Sequence, residues 1–321
     1  MGRRAVIRAV TLTTHAPHIE PTPEAHWLRA GCKLNLYLHI NARRPDGYHE
    51  LQTFFELLEY GDELQVDTDH DDIRINWVAG DEPITGQPTD PQEDLLYRAA
   101  IRLREQARDD RRGDQTTPRG AHVTLRKHVP VGGGLGGGSA AAASLLRALN
   151  QAWGLDYPID TLARIGKALG ADVPVFVHGH SATAHGIGEQ LHPDVARDTS
   201  GIYLVLVPRL SSPTAALFAS ARLERNLPKQ PDAELLDRWR DKGQNVFEPR
   251  VLEQQPELAA LLSDLKAEAG FARMTGSGAC LFAPVASERD GQRIGDRLAS
   301  RHEILRRYFV SSRVGHAKSA P

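Results

Sequence analysis

The sequence has little of several things that define whole classes of protein. It contains only two cysteines, Cys32 and Cys280, among 321 residues. Two isolated thiols predict no disulfide framework and cannot make a zinc site alone, so we expect small buried side chains in a reducing compartment. No apolar run approaches the roughly 20 residues that cross a bilayer, so no membrane partner is expected.

An excess of charge of either sign is also lacking. Lys and Arg number 39, Asp and Glu number 41, and the net charge is -2. This balance predicts no general attraction to nucleic acid. The stretch 109–119 carries an arginine pair but also acids and no aromatic residue, which is typical of a solvated loop. Any anion site must therefore be local.

The N-terminal stretch carries no clear fold signal. Residues 1–28 are expected to be a disordered extension. Residues 1–18 contain three arginines and no acid, which faintly resembles an organelle transit peptide and lacks the apolar core of a secretory signal. A cytoplasmic location is expected, with the transit peptide as the alternative.

Periodicity predicts a mixture of strands and helices. Residues 33–40 alternate, with leucines and Ile40 on one face and polar residues on the other, which predicts a half-buried strand. The other predicted strands cover 51–58, 63–67, 73–78, 122–127, 202–207, 280–283 and 308–314. The predicted helices cover 94–107, 139–153, 161–169, 214–224, 232–241, 258–269 and 288–299.

A glycine loop stands between one predicted strand and one predicted helix. Glycine occupies six of the seven positions 132–138, with Leu135 as the exception. Bare backbone N–H groups can wrap an anion, and the start of the following helix adds unpaired donors and partial positive charge. Ser139 stands where an N-cap or first-turn hydroxyl would be. A flexible turn is the plain alternative, but six glycines before a strong helix favour phosphate.

Three common phosphate loops do not fit. Gly132, Gly134 and Gly137 match G-x-G-x-x-G, but no second strand follows the helix, as a dinucleotide fold requires. A Walker A loop requires a lysine directly before its Ser or Thr, and no lysine stands directly before Ser139. The His-Arg-Asp and Asp-Phe-Gly elements of protein kinases are absent.

Residues 130–139 resemble the phosphate motif P-x-G-x-G-L-G-S-S-A of the GHMP kinase superfamily. The segment 32–36 resembles its opening strand, and 274–279 its third, glycine-rich motif. The resemblance implies an α+β, two-domain fold. A ribosomal protein S5-like ATP-binding domain (29–184) and an α/β-sandwich C-terminal domain (185–321) would enclose the active site in a cleft. The implied ATP-binding residues are Pro130, Gly132, Gly133, Gly134, Leu135, Gly136, Gly137, Gly138 and Ser139, with Mg²⁺ as the companion ion and no assigned metal ligands.

Within the superfamily, the blocks 33–36, 44–53, 134–139 and 170–176 resemble one branch. Its members phosphorylate the 2-hydroxyl of a cytidine-diphosphate-linked methylerythritol. The same resemblance implies that Asp172 is the catalytic acceptor of the hydroxyl proton, and that Lys33 stabilises it and orients the reacting groups. Residue chemistry alone favours a helix N-cap for Asp172, and an exposed strand residue is the default interpretation of Lys33.

The acceptor substrate would be held by Asn35, Tyr48, His49 and Phe218. The resemblance places Asn35 near the hydroxyl, and Tyr48 and Phe218 on either side of the cytosine with His49 at its edge. Two alternatives stay open, namely a homoserine, mevalonate or sugar kinase of the same superfamily and a nucleotide-binding protein without catalysis. The sequence predicts no oligomeric state.

Overall fold

The computed structural model describes residues 27–112, 119–193, 201–210 and 214–314. In chain order its strands are β1 (Leu28–Arg29), β2 (Cys32–Arg43), β3 (His49–Leu58), β4 (Glu63–Asp67), β5 (Ile73–Ala79), β6 (Ala121–Lys127), β7 (Ala182–His185), β8 (Gln190–Pro193), β9 (Ile202–Pro208), β10 (Arg273–Met274), β11 (Leu281–Val285) and β12 (Leu305–Ser312). Its helices are α1 (Leu95–Asp109), α2 (Gly137–Ala152), α3 (Ile159–Lys167), α4 (Val173–His178), α5 (Thr214–Ala219), α6 (Asp232–Asp237), α7 (Glu248–Gln254), α8 (Pro256–Ala269) and α9 (Glu288–Arg301). The predictions for residues 1–18, and for most of 1–28, fall outside the described residues.

The first sheet has the order β1-β4-β6-β5, with β5 parallel to β6 and the other pairs antiparallel. Strand β6 alternates buried and half-buried residues because only one face is covered. Its buried face packs on α1 and α2, which bury an apolar stripe each. Asp94 caps α1 by accepting from the backbone N–H of Leu96 at 2.8 Å.

The second sheet is the antiparallel series β2-β3-β7-β8. The prediction that β2 is half-buried is wrong, because every residue from Cys32 to Ile40 is buried. One side of the strand packs with β9 and β11 in a shared apolar cluster that includes Leu34 and Val205. The other side carries Lys33 and Asn35, which lie in the interior beneath the glycine loop.

The third sheet is antiparallel throughout, in the order β10-β11-β9-β12. Helices α8 and α9 cover one face, and their leucines share a core with the sheet. The other face meets β2. Both cysteines are buried free thiols, as predicted, and burial raises the pKa of Cys280 to about 12.

Every predicted strand and helix overlaps an observed one, but several bounds differ. The predicted helix 214–224 ends at Ala219, because the Arg225 side chain binds backbone carbonyls that a longer helix would use. The predicted helix 232–241 ends at Asp237, and α2 begins at Gly137 rather than at Ser139. The elements β1, β7, β8, β10, α4 and α7 were not predicted. They are short, so their periodicity is weak.

The chain has mixed helices and sheets, as the α+β prediction required. The predicted boundary between residues 184 and 185 stays a prediction. It falls within β7, and a boundary that keeps the second sheet whole lies after β8. Among the described helices, none has both the length and the hydropathy needed to span a bilayer.

Candidate active site

The glycine loop forms a tight backbone turn that leads into α2. Gly136 is the N-cap of the helix, in the left-handed region with φ 70°, and has no side chain to cap with. The first N–H groups of a 16-residue helix therefore stay open toward the loop. Ser139 is the third residue of α2 and half-buried, so its hydroxyl lies in the first turn and the N-cap alternative is wrong.

A neighbouring segment supports this loop. A Cβ on Gly134 would lie 2.2 Å from the carbonyl oxygen of Thr275, so the loop contacts the segment 274–278 backbone to backbone. That segment is itself held by Asn245, whose side-chain amide donates to the carbonyls of Met274 and Gly276 at 2.8 Å each. The predicted third glycine-rich motif thus lies directly against the first one.

A buried carboxylate holds the start of the loop. Asp62 is fully buried and accepts from the backbone N–H groups of His128 at 2.7 Å and Val129 at 2.8 Å. The same carboxylate forms an ion pair with the buried Lys127. Since both N–H groups lie just before Pro130, Asp62 fixes where the loop leaves β6.

Lys33 and Asp172 come together beside the glycine loop. The Lys33 ammonium lies 3.6 Å from the Asp172 carboxylate, and the two side chains are 5% and 32% exposed. The backbone N–H of Lys33 donates to the carbonyl of Leu135 at 2.9 Å, which ties β2 to the loop. Asp172 occupies the N-cap position of α4 but makes no capping hydrogen bond, so its carboxylate is available for another role.

Asn35 extends this pair into a buried polar chain. Its side-chain oxygen accepts from the Lys33 ammonium, and its side-chain amide donates to the Thr53 hydroxyl at 2.8 Å. Its backbone N–H donates to the Thr275 hydroxyl at 2.9 Å. The Lys33 ammonium is therefore oriented from one side by Asn35 and reaches Asp172 on the other.

An aromatic group lies at the other end of the β2–β3 hairpin. Lys33 pairs with Leu57, whereas Arg43 pairs with His49. The His49 and Phe218 rings stack with centroids 5.1 Å apart at an angle of 27°, which is direct stacking and leaves no room for a base between them. Tyr48 is 60% exposed, so its ring is open to a ligand.

Charge and burial set the protonation state of the His49 imidazole. Burial, followed by the nearby Arg225 and Arg43, lowers the pKa of His49. The guanidinium of Arg225 donates to His49 Nε2 at 3.0 Å. His49 is thus held as a neutral ring at the pH of the cell.

Comparisons with known proteins decide the family. The model described as GHMP kinases N terminal domain matches residues 94–180, and that described as GHMP kinases C terminal matches 223–304. A relative from Tolumonas auensis, named 4-diphosphocytidyl-2-C-methyl-D-erythritol kinase, is 39% identical and spans 90% of this chain and 99% of its own. The chain belongs to the GHMP kinases.

Other relatives agree with this placement. A protein of the same name from Cupriavidus metallidurans is 42% identical over 87% of this chain and 91% of its own. A crystal structure of 4-(cytidine 5'-diphospho)-2C-methyl-D-erythritol kinase has a TM-score of 0.72 at 29% identity, covering 90% of this chain and 100% of its own. The mevalonate kinase of Methanococcus jannaschii has a TM-score of 0.63 at 12% identity, covering 92% of this chain and 100% of its own, and this likeness shows the fold alone.

This GHMP kinase is an ATP-dependent small-molecule kinase, and the assignment of its glycine loop to the phosphates of ATP stays a prediction. The structure brings Lys33, Asn35 and Asp172 together at the loop, and His49 and Phe218 together away from it. Tyr48 lies next to His49 in the chain, and its ring is 60% exposed.

Sequence reasoning missed four polar residues of this GHMP kinase. Thr53 and Thr275 lie within the motif blocks that carried the family resemblance, so their signal was present but unassigned. Asp62 and Arg225 lie outside those blocks. Nothing in their neighbouring residues indicates that they contact the glycine loop or His49.

Proposed function

We propose that this GHMP kinase transfers the γ-phosphoryl group of ATP to the 2-hydroxyl of 4-(cytidine 5'-diphospho)-2-C-methyl-D-erythritol, a step of the non-mevalonate route to isoprenoids. Relatives that carry the name of this activity are 39% to 42% identical to the chain over most of its length. The observation that carries the proposal is the separation of two groups along one hairpin.

Lys33 and Asp172 lie at one end of the β2–β3 hairpin, whereas His49 and Phe218 lie at its other end. A substrate that reaches both ends must be extended and must offer a flat, partly apolar ring at the end remote from the reacting hydroxyl. A cytidine linked through a diphosphate to a polyol has this form. Mevalonate and homoserine have no ring for the aromatic group to bind.

The proposed roles follow from position. The loop N–H groups and the start of α2 bind the phosphates of ATP. The acceptor hydroxyl oxygen bonds to the γ-phosphorus while the bond from phosphorus to the bridging β–γ oxygen breaks, and ADP leaves. The hydroxyl proton passes to the Asp172 carboxylate, and the Lys33 ammonium, oriented by Asn35, stabilises the negative charge between them. A nucleotide-binding protein without catalysis would not need the 3.6 Å Lys33–Asp172 pair.

Mg²⁺ fits the site only as a companion of ATP. The described residues hold no group of three His, Cys, Asp or Glu that could form a metal site of its own. Mg²⁺ commonly uses one or two protein oxygens together with substrate phosphates, and the half-buried Ser139 hydroxyl in the first turn of α2 is such an oxygen. When bound, the ion neutralises charge on the phosphates. The cytoplasmic location and the absence of a nucleic-acid partner stay predictions.

The first test measures ADP release with Mg²⁺-ATP and three alcohols, namely the cytidine-linked methylerythritol, mevalonate and homoserine. We expect release with the first alone. Asp172→Asn should lower kcat about 10²- to 10⁴-fold and leave the circular dichroism spectrum unchanged. Asp160 is an exposed carboxylate on α3, so the control variant Asp160→Asn should keep wild-type turnover. Turnover with mevalonate or homoserine but not with the cytidine compound would refute the proposed acceptor, and an active Asp172→Asn enzyme would refute the proposed base.

A further inference from the structure

A single guanidinium joins the two residues of the aromatic group. Arg225 Nε donates to His49 Nε2 at 3.0 Å, and Arg225 Nη2 donates to the carbonyl of Phe218 at 2.8 Å. The same side chain donates to the carbonyls of Ser220 at 2.7 Å and Leu223 at 3.0 Å. Arg225 therefore holds the end of α5 and the start of β3 in one arrangement.

The contact with His49 has a definite chemical consequence. A guanidinium has donors only, so His49 Nε2 must accept the hydrogen bond and carry no proton. A neutral imidazole then carries its proton on Nδ1. Burial and the positive charge of Arg225 also lower the pKa of His49, which agrees with a neutral ring.

We propose that Arg225 is a positioning residue for base specificity, because it holds His49 as the Nδ1–H tautomer and fixes that ring against Phe218. His49 then presents a hydrogen-bond donor to the edge of the base. Cytosine N3 is an acceptor, whereas uracil N3 carries a hydrogen and would leave two donors facing each other. This inference rests on the proposed cytidine-linked substrate.

The kinetic test compares Arg225→Gln with wild-type enzyme on the cytidine-linked substrate and on its uridine-linked analogue. When Arg225 no longer holds His49 as the Nδ1–H tautomer, the cytidine-to-uridine ratio of kcat/KM should fall about tenfold, which is the effect of one hydrogen bond. The change should lie in KM for the acceptor more than in kcat, with KM for ATP unaltered. Arg222→Gln is the matched control, because Arg222 is exposed and pairs with Glu253, and it should keep the wild-type ratio.

The structural test is ¹⁵N NMR of the imidazole groups, with His49→Gln used to assign the signals. Wild-type protein should show a protonated Nδ1 and an unprotonated Nε2 for His49, and Arg225→Gln should show protonated Nε2 as well. Arg225→Lys, which keeps a charged donor, provides a second variant if the glutamine variant does not fold.

The outcomes separate the two proposals. Suppose that the wild-type enzyme phosphorylates the cytidine substrate. A protonated His49 Nε2, or a cytidine-to-uridine ratio that Arg225→Gln leaves unchanged, would then overturn the inference and leave the proposed function intact. A wild-type enzyme that does not use the cytidine substrate overturns both. A shifted tautomer together with a reduced base ratio supports the inference.

Discussion

Replacing Asp62 with asparagine tests how the start of the phosphate loop is held. The carboxylate of Asp62 accepts from two backbone N–H groups, those of His128 and Val129, and forms an ion pair with Lys127. The Lys127 and Asp62 side chains are 4% and 0% exposed, so water cannot replace either partner. The asparagine oxygen can keep one or both backbone contacts, but the lysine loses its counter-charge.

The magnitude follows from this burial. Removing one partner of a buried ion pair costs about 3–5 kcal/mol, mostly because the other charge stays buried and uncompensated. Whole domains are stable by only about 5–15 kcal/mol. We therefore expect Asp62→Asn to lower the free energy of unfolding by about 3–5 kcal/mol and to raise KM for ATP, because the loop loses its anchor next to Pro130.

The assay is urea unfolding at low temperature, together with the KM for ATP of the folded fraction. The double variant Asp62→Asn with Lys127→Met should recover part of the lost stability, since it removes the uncompensated ammonium. Asp72→Asn, which breaks exposed pairs with Arg74 and His122, should leave the unfolding midpoint near that of wild-type protein. Additive losses in the double variant, or a single variant as stable as wild type, would show that the buried pair does not hold the loop.

Two further predictions concern the glycine loop and β2. Gly134→Ala should abolish ATP binding, because its Cβ would lie 2.2 Å from the Thr275 carbonyl oxygen. Gly132 has a similar positive φ, but its Cβ would meet no atom within 4 Å, so Gly132→Ala should weaken ATP binding by a small factor only. Equal losses of ATP affinity in calorimetry would contradict this. Burial, followed by the charge of Arg273, lowers the pKa of His39 from 6.5 to about 4. As the pH is lowered, the unfolded state therefore binds a proton before the folded state does. The contribution of His39 to stability is full above pH 6.5 and is lost as the pH falls toward 4. In His39→Gln, the decrease in the free energy of unfolding between pH 6.5 and pH 4 should be smaller by up to about 3 kcal/mol, as measured by urea unfolding at several pH values. The exposed His192→Gln should show the same decrease as wild-type protein. An unchanged decrease in His39→Gln would mean that other groups cause it.

Strand β2 shows how far periodicity reaches. Alternation placed Lys33 and Asn35 on one face and Leu34 and Leu36 on the other, and this division is confirmed. It does not continue along the strand, because the register shifts between Asn35 and Leu38 and Tyr37 joins the apolar cluster of Leu34 and Leu36. The conclusion that the polar face meets solvent is wrong, because a period of two reports which side chains share a face but not what covers that face. The covering segments, the glycine loop and the residues around Thr275, come from 100 and more positions later in the chain.

The aromatic group gives a second example. The motif resemblance named His49 and Phe218 separately, and the structure places the two rings side by side with centroids 5.1 Å apart. The predicted arrangement of Tyr48 and Phe218 on either side of a base stays a prediction. Arg225, which joins the two stacked residues, belongs to no motif and is one arginine among many in a charged stretch.

The sequence by itself determined the glycine loop between a strand and a helix, most of the longer strands and helices, and the family resemblance, because each of these depends on local residue types at fixed spacing. Six glycines before a strong helix specify a backbone anion site wherever the helix lies. Only the tertiary structure decided that Lys33 reaches Asp172, that Asp62 holds the loop, and that Arg225 selects the state of His49. Those contacts join residues 65 to 176 positions apart, and their geometry depends on the packing of whole sheets, which local spacing does not encode.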